Sequence, residues 1–286
     1  MAHPVIVGVD RAPGSFEAVD VGADEAQRRG GALRLVHAWL RQPNDTPEWR
    51  DNAGNEQAGQ HLLTESAERA AARHPGLDVS VELVEDGPRD ALRSLSRTAG
   101  LLVLGARGSG GFPRLLVGST SLYVAASAAC PVIVVPGSGS ATGTRRGVAV
   151  GIDGRGPCDE LLRFAFESAQ QRELPLHAVH SWRYPLVRGP GHASTPVYEE
   201  GQVADEAAQR LSEVLAGWRE MYPDVPVDED LVRSGAAKHL VGLSATEHLV
   251  VVGRRGTREG PVRRLGSVSQ AVVNYAQCPV AVVPEG

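Results

Sequence analysis

The chain has 286 residues, with 29 Lys and Arg against 34 Asp and Glu, a formal net charge of −5. At 42% hydrophobic and 22% charged it has the composition of a soluble globular protein. Its length suits two ordinary domains or one large one, either able to bury a core without disulfide or metal staples, and a mildly acidic chain lacks the basic footprint of a general nucleic-acid binder.

In chain order, short apolar runs of strand length fall at Val5–Val9, Leu33–Trp39, Val79–Leu83, Leu101–Leu104 and Val132–Val135. Between them, Phe16, Val19, Ala23 and Ala26, then Leu62/Leu63, Ser66/Ala67 and Ala70/Ala71, recur at helical spacing. Pro136–Arg146 is turn-rich and without apolar periodicity, which reads as a linker. A second series of strands follows at Val148–Ile152, Leu176–Trp182, Val227–Leu231, Leu249–Val252 and Val280–Val283. Its clearest helical pattern is Val203, Ala207, Leu211, Leu215, Trp218 and Tyr222. Runs apolar on both faces, alternating with helices, predict parallel strands covered on each side. The fold expected is α/β: two tandem doubly wound five-stranded parallel-sheet domains, over residues 1–140 and 141–286.

The two series are copies. Val-Gly-Val-Asp ending at Asp10 recurs as Val-Gly-Ile-Asp ending at Asp153, and Val36-His37-Ala38-Trp39 as Val179-His180-Ser181-Trp182, both at an offset of 143. Gly105–Gly108, Gly118-Ser119 and Cys130-Pro131-Val132 recur at Gly253–Gly256, Gly266-Ser267 and Cys278-Pro279-Val280, at an offset of 148. The second copy therefore carries five extra residues between Trp182 and Gly253, and the Pro- and Gly-rich segment from Arg183 to Pro196 is a plausible host.

Chemistry concentrates in a spacing found once per half, Gly-x2-Gly-x9-Gly-Ser. It runs Gly105, Gly108, Gly118, Ser119 in the first copy and Gly253, Gly256, Gly266, Ser267 in the second. The first glycine ends a buried strand, where a side chain would block a ligand's approach to the backbone. The last pair opens a helix, whose free N–H groups and dipole suit a phosphate. The plainer alternative is turn glycines followed by ordinary N-cap serines. A Walker A loop is excluded, because the one lysine, Lys238, follows Ala237. A dinucleotide fingerprint is excluded too: Gly108-Ser-Gly110 begins one, but Pro113 occupies the third-glycine position. Asp10 and Asp153 end the first strand of each half, where a carboxylate can meet ribose hydroxyls or merely shape its own turn.

Together these motifs resemble the universal stress protein family in its tandem two-domain form, over nearly the whole chain. The resemblance implies a strand order of 3-2-1-4-5 and one ATP per half. Ribose would sit on Asp10 and Asp153, and adenine on the backbone at Ala38 and Ser181. Phosphates would rest on Gly105, Gly108, Gly118, Ser119 and Thr120, and on Gly253, Gly256, Gly266, Ser267 and Val268. Leu104 and Val252 would line the nucleotide, and any magnesium would be held mainly by phosphates and water. The family often carries a small hydroxyl residue two positions after the aspartate, where this chain has Ala12 and Arg155. The second loop is also charged, with Arg254, Arg255, Arg258, Arg263 and Arg264 around Glu259, either as phosphate partners or as a solvated surface.

The expected role is nucleotide-dependent regulation in stress, with nucleotide occupancy altering contacts to unidentified protein partners, by a chain that forms a homo-oligomer, most simply a dimer. Two other classes stay open, a slow ATPase or autophosphorylating protein and a nucleotide-free module dimerising through its last-strand edges. No catalytic constellation, metal site, nucleic-acid partner or membrane partner is expected. His37 and His180 read as packed or hydrogen-bonded strand residues. Cys130, Cys158 and Cys278, odd in number and far apart, point to a reducing compartment. No signal peptide is visible, and the most apolar window, Leu122 to Val135, is broken by Ser127 and Pro131. The expectation is a cytoplasmic protein.

Overall fold

The computed structural model describes residues 3–12, 14–41, 52–108, 117–137, 146–154, 156–182, 187–189, 192–194, 201–233, 235–255 and 264–285. In the first half the elements run β1 (Val5–Gly8), α1 (Gly14–Arg28), β2 (Leu33–Trp39), α2 (Asn52–Arg73), β3 (Val79–Glu85), α3 (Pro88–Leu95), β4 (Leu101–Gly105), α4 (Ser119–Ser127) and β5 (Val132–Val135). The second half opens with β6 (Val148–Ile152), α5 (Asp159–Gln170) and β7 (Leu176–Trp182). A hairpin follows, β8 (Val187–Gly189) with β9 (His192–Ser194), and then α6 (Gln202–Met221), β10 (Val227–Arg233), α7 (Ala236–Leu243), β11 (Leu249–Arg255), α8 (Ser267–Tyr275) and β12 (Val280–Glu285). The hairpin falls inside the segment that the offset arithmetic marks as the host of the extra residues. Of the linker, residues 138–145 lie outside the described residues.

Each half has the strand order 3-2-1-4-5, as β3-β2-β1-β4-β5 and β10-β7-β6-β11-β12, and every pairing within a half is parallel. Helices cover both faces. Ala18, Val19 and Ala23 of α1, Leu62 and Leu63 of α2, Phe166 of α5 and Leu215 of α6 share one core layer. Leu92 of α3, Val124 of α4, Leu240 of α7 and Val272 of α8 share the other. Strands buried on both faces read as unbroken apolar runs, as in β5 (VIVV). The outer strands β3 (VSVELVE) and β10 (VDEDLVR) instead carry acidic residues, which protect an open sheet edge from pairing.

The halves join through their last strands. β12 pairs antiparallel with β5, Val280 opposite Val134 and Val282 opposite Val132, so two five-stranded sheets fuse into one of ten strands. This changes the dimerisation route expected from the sequence: the apolar last-strand edges are consumed within the chain, and a second copy would have to meet another surface. Across the same seam Arg172, just past α5, forms an ion pair with Glu25 of α1.

Candidate functional site

All eight residues expected in the first site, Asp10, Ala38, Leu104, Gly105, Gly108, Gly118, Ser119 and Thr120, line one cavity of about 330 Å³ at the carboxyl ends of β1, β2 and β4. Gly118 is the N-cap of α4 in extended conformation, with no side-chain cap. Ser119 and Thr120 therefore sit inside the helix's first turn, and the reading of Ser119 as an ordinary N-cap does not hold. The first N–H groups of α4 have no intrahelical acceptor and face the cavity with the positive end of the dipole.

Asp10 does shape its own turn: Oδ1 accepts from the Ala12 N–H at 3.0 Å. Its second oxygen stands over the glycine loop, since a Cβ on Gly108 would lie only 2.8 Å from Oδ2. Any side chain at 108 would displace the carboxylate. One oxygen of Asp10 thus shapes its turn, and the other lies against the backbone of the glycine loop. Ala12 itself is buried, and the Asp10 N–H donates to Ser15 Oγ at 2.9 Å. His37 donates from Nδ1 to the Val9 carbonyl at 2.7 Å, and His180 to that of Ile152 at 2.9 Å. Because a carbonyl can only accept, that contact places the proton on Nδ1. Both rings brace the strand that delivers the aspartate.

In the second half, Asp153, Ser181, Val252, Gly253, Gly266, Ser267 and Val268 line a cavity of about 730 Å³. Gly256 and Arg155 lie outside the described residues, as do Arg258, Glu259 and Arg263. Gly266 is the extended N-cap of α8, matching Gly118. The two sites differ at their floor. A Cβ on Gly105 would meet the Gly14 carbonyl oxygen at 3.0 Å, whereas one on Gly253 would meet the Glu285 carboxylate at 2.8 Å. Gly137 holds the place of Glu285 in the first half.

Some site features escaped the motif reading. Ser121 Oγ donates to the Gly105 carbonyl at 2.7 Å, and Ser269 Oγ to that of Gly253 at 2.8 Å, tying α4 and α8 each to the strand end beside it. The offset of 148 relates these serines and would have found them. Pro88, Leu92 and Arg107 also line the first cavity, and Ala236, Leu240, Arg264 and Glu285 the second. Arg254 departs from both readings of the charged loop: it is 3% exposed and donates to backbone carbonyls of the first half.

None of the three cysteines forms a disulfide. Cys130 and Cys278 are buried, and burial pushes the Cys130 thiol up to about 12, whereas Cys158, at the N-cap of α5, is half-buried. Thiol titration of the native protein is expected to modify Cys158 alone, and Cys158→Ser to abolish the reaction. Rapid labelling of Cys130 or Cys278 would contradict their burial.

The family profile described as Universal stress protein family matches residues 1–136 and again 144–284. The chain belongs to the universal stress protein family. Universal stress protein Rv2005c of Mycobacterium tuberculosis is 34% identical over 292 residues, covering 98% of this chain and 96% of that protein. A universal stress protein from Archaeoglobus fulgidus shares the fold over 100% of both chains, with a TM-score of 0.73 at 17% identity. A universal stress protein solved in complex with cAMP matches 48% of this chain and 100% of its own, at 27% identity and a TM-score of 0.40. Among the described residues of this family member, no helix is long and apolar enough to cross a membrane.

Proposed function

We propose that this universal stress protein binds one ATP in each half and acts as a nucleotide-dependent regulator in stress. One observation carries the reading: separate segments of the first half, at the ends of β1, β2 and β4 and the start of α4, bring every residue of the expected site to a single cavity. The second half repeats the arrangement for each described residue. Open α/β sheets bind ligands in such a crevice, where strand order reverses. Asp10 and Asp153 would accept from ribose hydroxyls, the backbone at Ala38 and Ser181 would meet adenine, and the first turns of α4 and α8 would take the phosphates. Magnesium would enter with the nucleotide, held by phosphates and water.

Denaturing the purified protein and identifying released nucleotide, followed by calorimetry on stripped protein, tests this. About two ATP per chain are expected, one per helix start. Folded protein that binds no ATP at millimolar nucleotide overturns the reading.

Turnover is proposed to be absent or very slow. The sites offer phosphate-facing backbone and a carboxylate for ribose, but no residue in an assigned position aligns or deprotonates a water. Charge stabilisation without an aligned nucleophile accelerates little. Phosphate release is expected to fall orders of magnitude below the ~10 per second of a typical enzyme. Release near that rate, lost when Gly118 and Gly266 are both replaced by valine, would favour an ATPase. Self-association, which the resemblance implies, is decided by light scattering at micromolar protein.

A further inference from the structure

β11 passes the second site at Gly253, and the next side chain leaves its own half. Arg254 crosses the β5–β12 seam, where Nη1 donates to the Ala126 carbonyl at 3.0 Å and Nη2 to the Ala128 carbonyl at 2.6 Å. These carbonyls belong to the last turn and C-cap of α4, the helix whose first residues, Ser119 and Thr120, line the first site. The final carbonyls of a helix carry partial negative charge, and a buried cation hydrogen-bonded to them stabilises the helix and its dipole. At nine residues, α4 is about 13 Å long. The guanidinium at one end and the phosphate-facing N–H groups at the other therefore belong to one short, rigid element.

The repeat shows that this contact is an addition. Ties within a half are made twice: Ser121 and Ser269 hold the two strand ends, and Ser96 and Ser244 accept the Ala129 and Gln277 N–H groups, each at 2.9 Å. The residue equivalent to Arg254 is Ala106, a buried methyl with nothing to donate to the end of α8. One connection between the halves thus runs from the strand end of the second site to the helix of the first, with no mirror image.

Building on the nucleotide reading, we propose that Arg254 is a positioning residue for the first site, supplied by the second half. Its charge on the last carbonyls of α4 offsets the negative end of the helix dipole and so strengthens the hold of the first N–H groups on phosphate.

The test uses the full chain. Gly266→Val isolates the first site and Gly118→Val the second. Adding Arg254→Met to Gly266→Val is expected to weaken ATP about three- to tenfold, the effect of losing a partly buried cation at a helix end. Added to Gly118→Val, it should leave the second site within about twofold, because the helix-end effect acts on α4. Arg254→Lys should recover part of the loss by keeping the charge, and carries the comparison if Arg254→Met does not fold. Equal losses at both sites, or none at the first, overturn the proposal.

Hydrogen exchange on nucleotide-free protein supplies a second arm. The Leu122 N–H bonds the Gly118 carbonyl at 3.1 Å in the first turn of α4, and its counterpart Gln270 bonds Gly266 at 2.8 Å in α8. Arg254→Met should speed exchange at Leu122 and spare Gln270. Unchanged exchange at Leu122 overturns the positioning role even if ATP binds. Faster exchange at Leu122 in a protein that never binds ATP supports the connection and removes the nucleotide reading instead.

Discussion

Replacing Glu25 by alanine is expected to destabilise the folded chain by about 3–5 kcal/mol, the range for breaking a buried ion pair by removing one partner. Glu25 is 1% exposed and the Arg172 side chain 4%. The same carboxylate accepts from Arg28 Nη1 at 3.2 Å and Arg29 Nε at 3.3 Å. Burial depresses the Arg172 guanidinium below its ordinary value, with the charge of Glu25 opposing. Without Glu25, Arg172 keeps among the described residues only its contact with the Ser168 carbonyl, at 2.9 Å, for a charge already removed from water. Arg172→Met should be milder, because Glu25 retains Arg28 and Arg29. Urea denaturation of the two variants and their double mutant measures the difference. A loss for Glu25→Ala below about 1 kcal/mol, typical of an exposed pair, would show that the pair contributes little to holding the seam.

Gly266→Val is expected to halve the bound nucleotide, from about two ATP per chain to about one, by filling the helix start that would take phosphate. The fold should tolerate it, because a Cβ built at Gly266 meets nothing within 4 Å. The matching change at Gly118 is less innocent. A Cβ there lies 3.4 Å from both the Ala106 carbonyl oxygen and the Gly108 nitrogen. Gly118→Val should therefore abolish the first site and also cost about 1 kcal/mol or more of stability from overpacking. Calorimetry of each variant, with a melting curve alongside, separates the effects. Wild-type stoichiometry in the Gly118/Gly266 double variant would disprove the phosphate assignment.

Much of the architecture was legible because strand burial writes itself into composition. Strands covered on both faces have no solvent side to mark with polar residues, so β1, β4, β5, β6 and β11 stand out as apolar runs. The edge strands β3 and β10 each run two residues beyond the apolar segments expected, through Val84-Glu85 and Val232-Arg233, where a charged residue closes the strand. The positions of Asp10, Gly105 and Gly118 were legible for a different reason. Gly108 must leave room for the Asp10 carboxylate, and the duplicated chain repeats the aspartate at an offset of 143 and the glycines at 148.

The sequence by itself determined two α/β halves, the order of their elements and the aspartate and glycine positions at the carboxyl end of each sheet. These depend on periodicity and spacing within one half, where short-range sterics and burial act on neighbouring residues. Only the tertiary structure decided that β5 and β12 pair with each other, that Glu285 stands over Gly253, and that Arg254 serves a helix in the other half. The first and last depend on how one half is oriented on its copy, and the second on how the end of β12 runs beside β11. Nothing in the local pattern around Arg254 distinguishes a solvated arginine from one that crosses a seam. The acceptors are backbone carbonyls more than 120 residues away, and any residue type supplies a carbonyl.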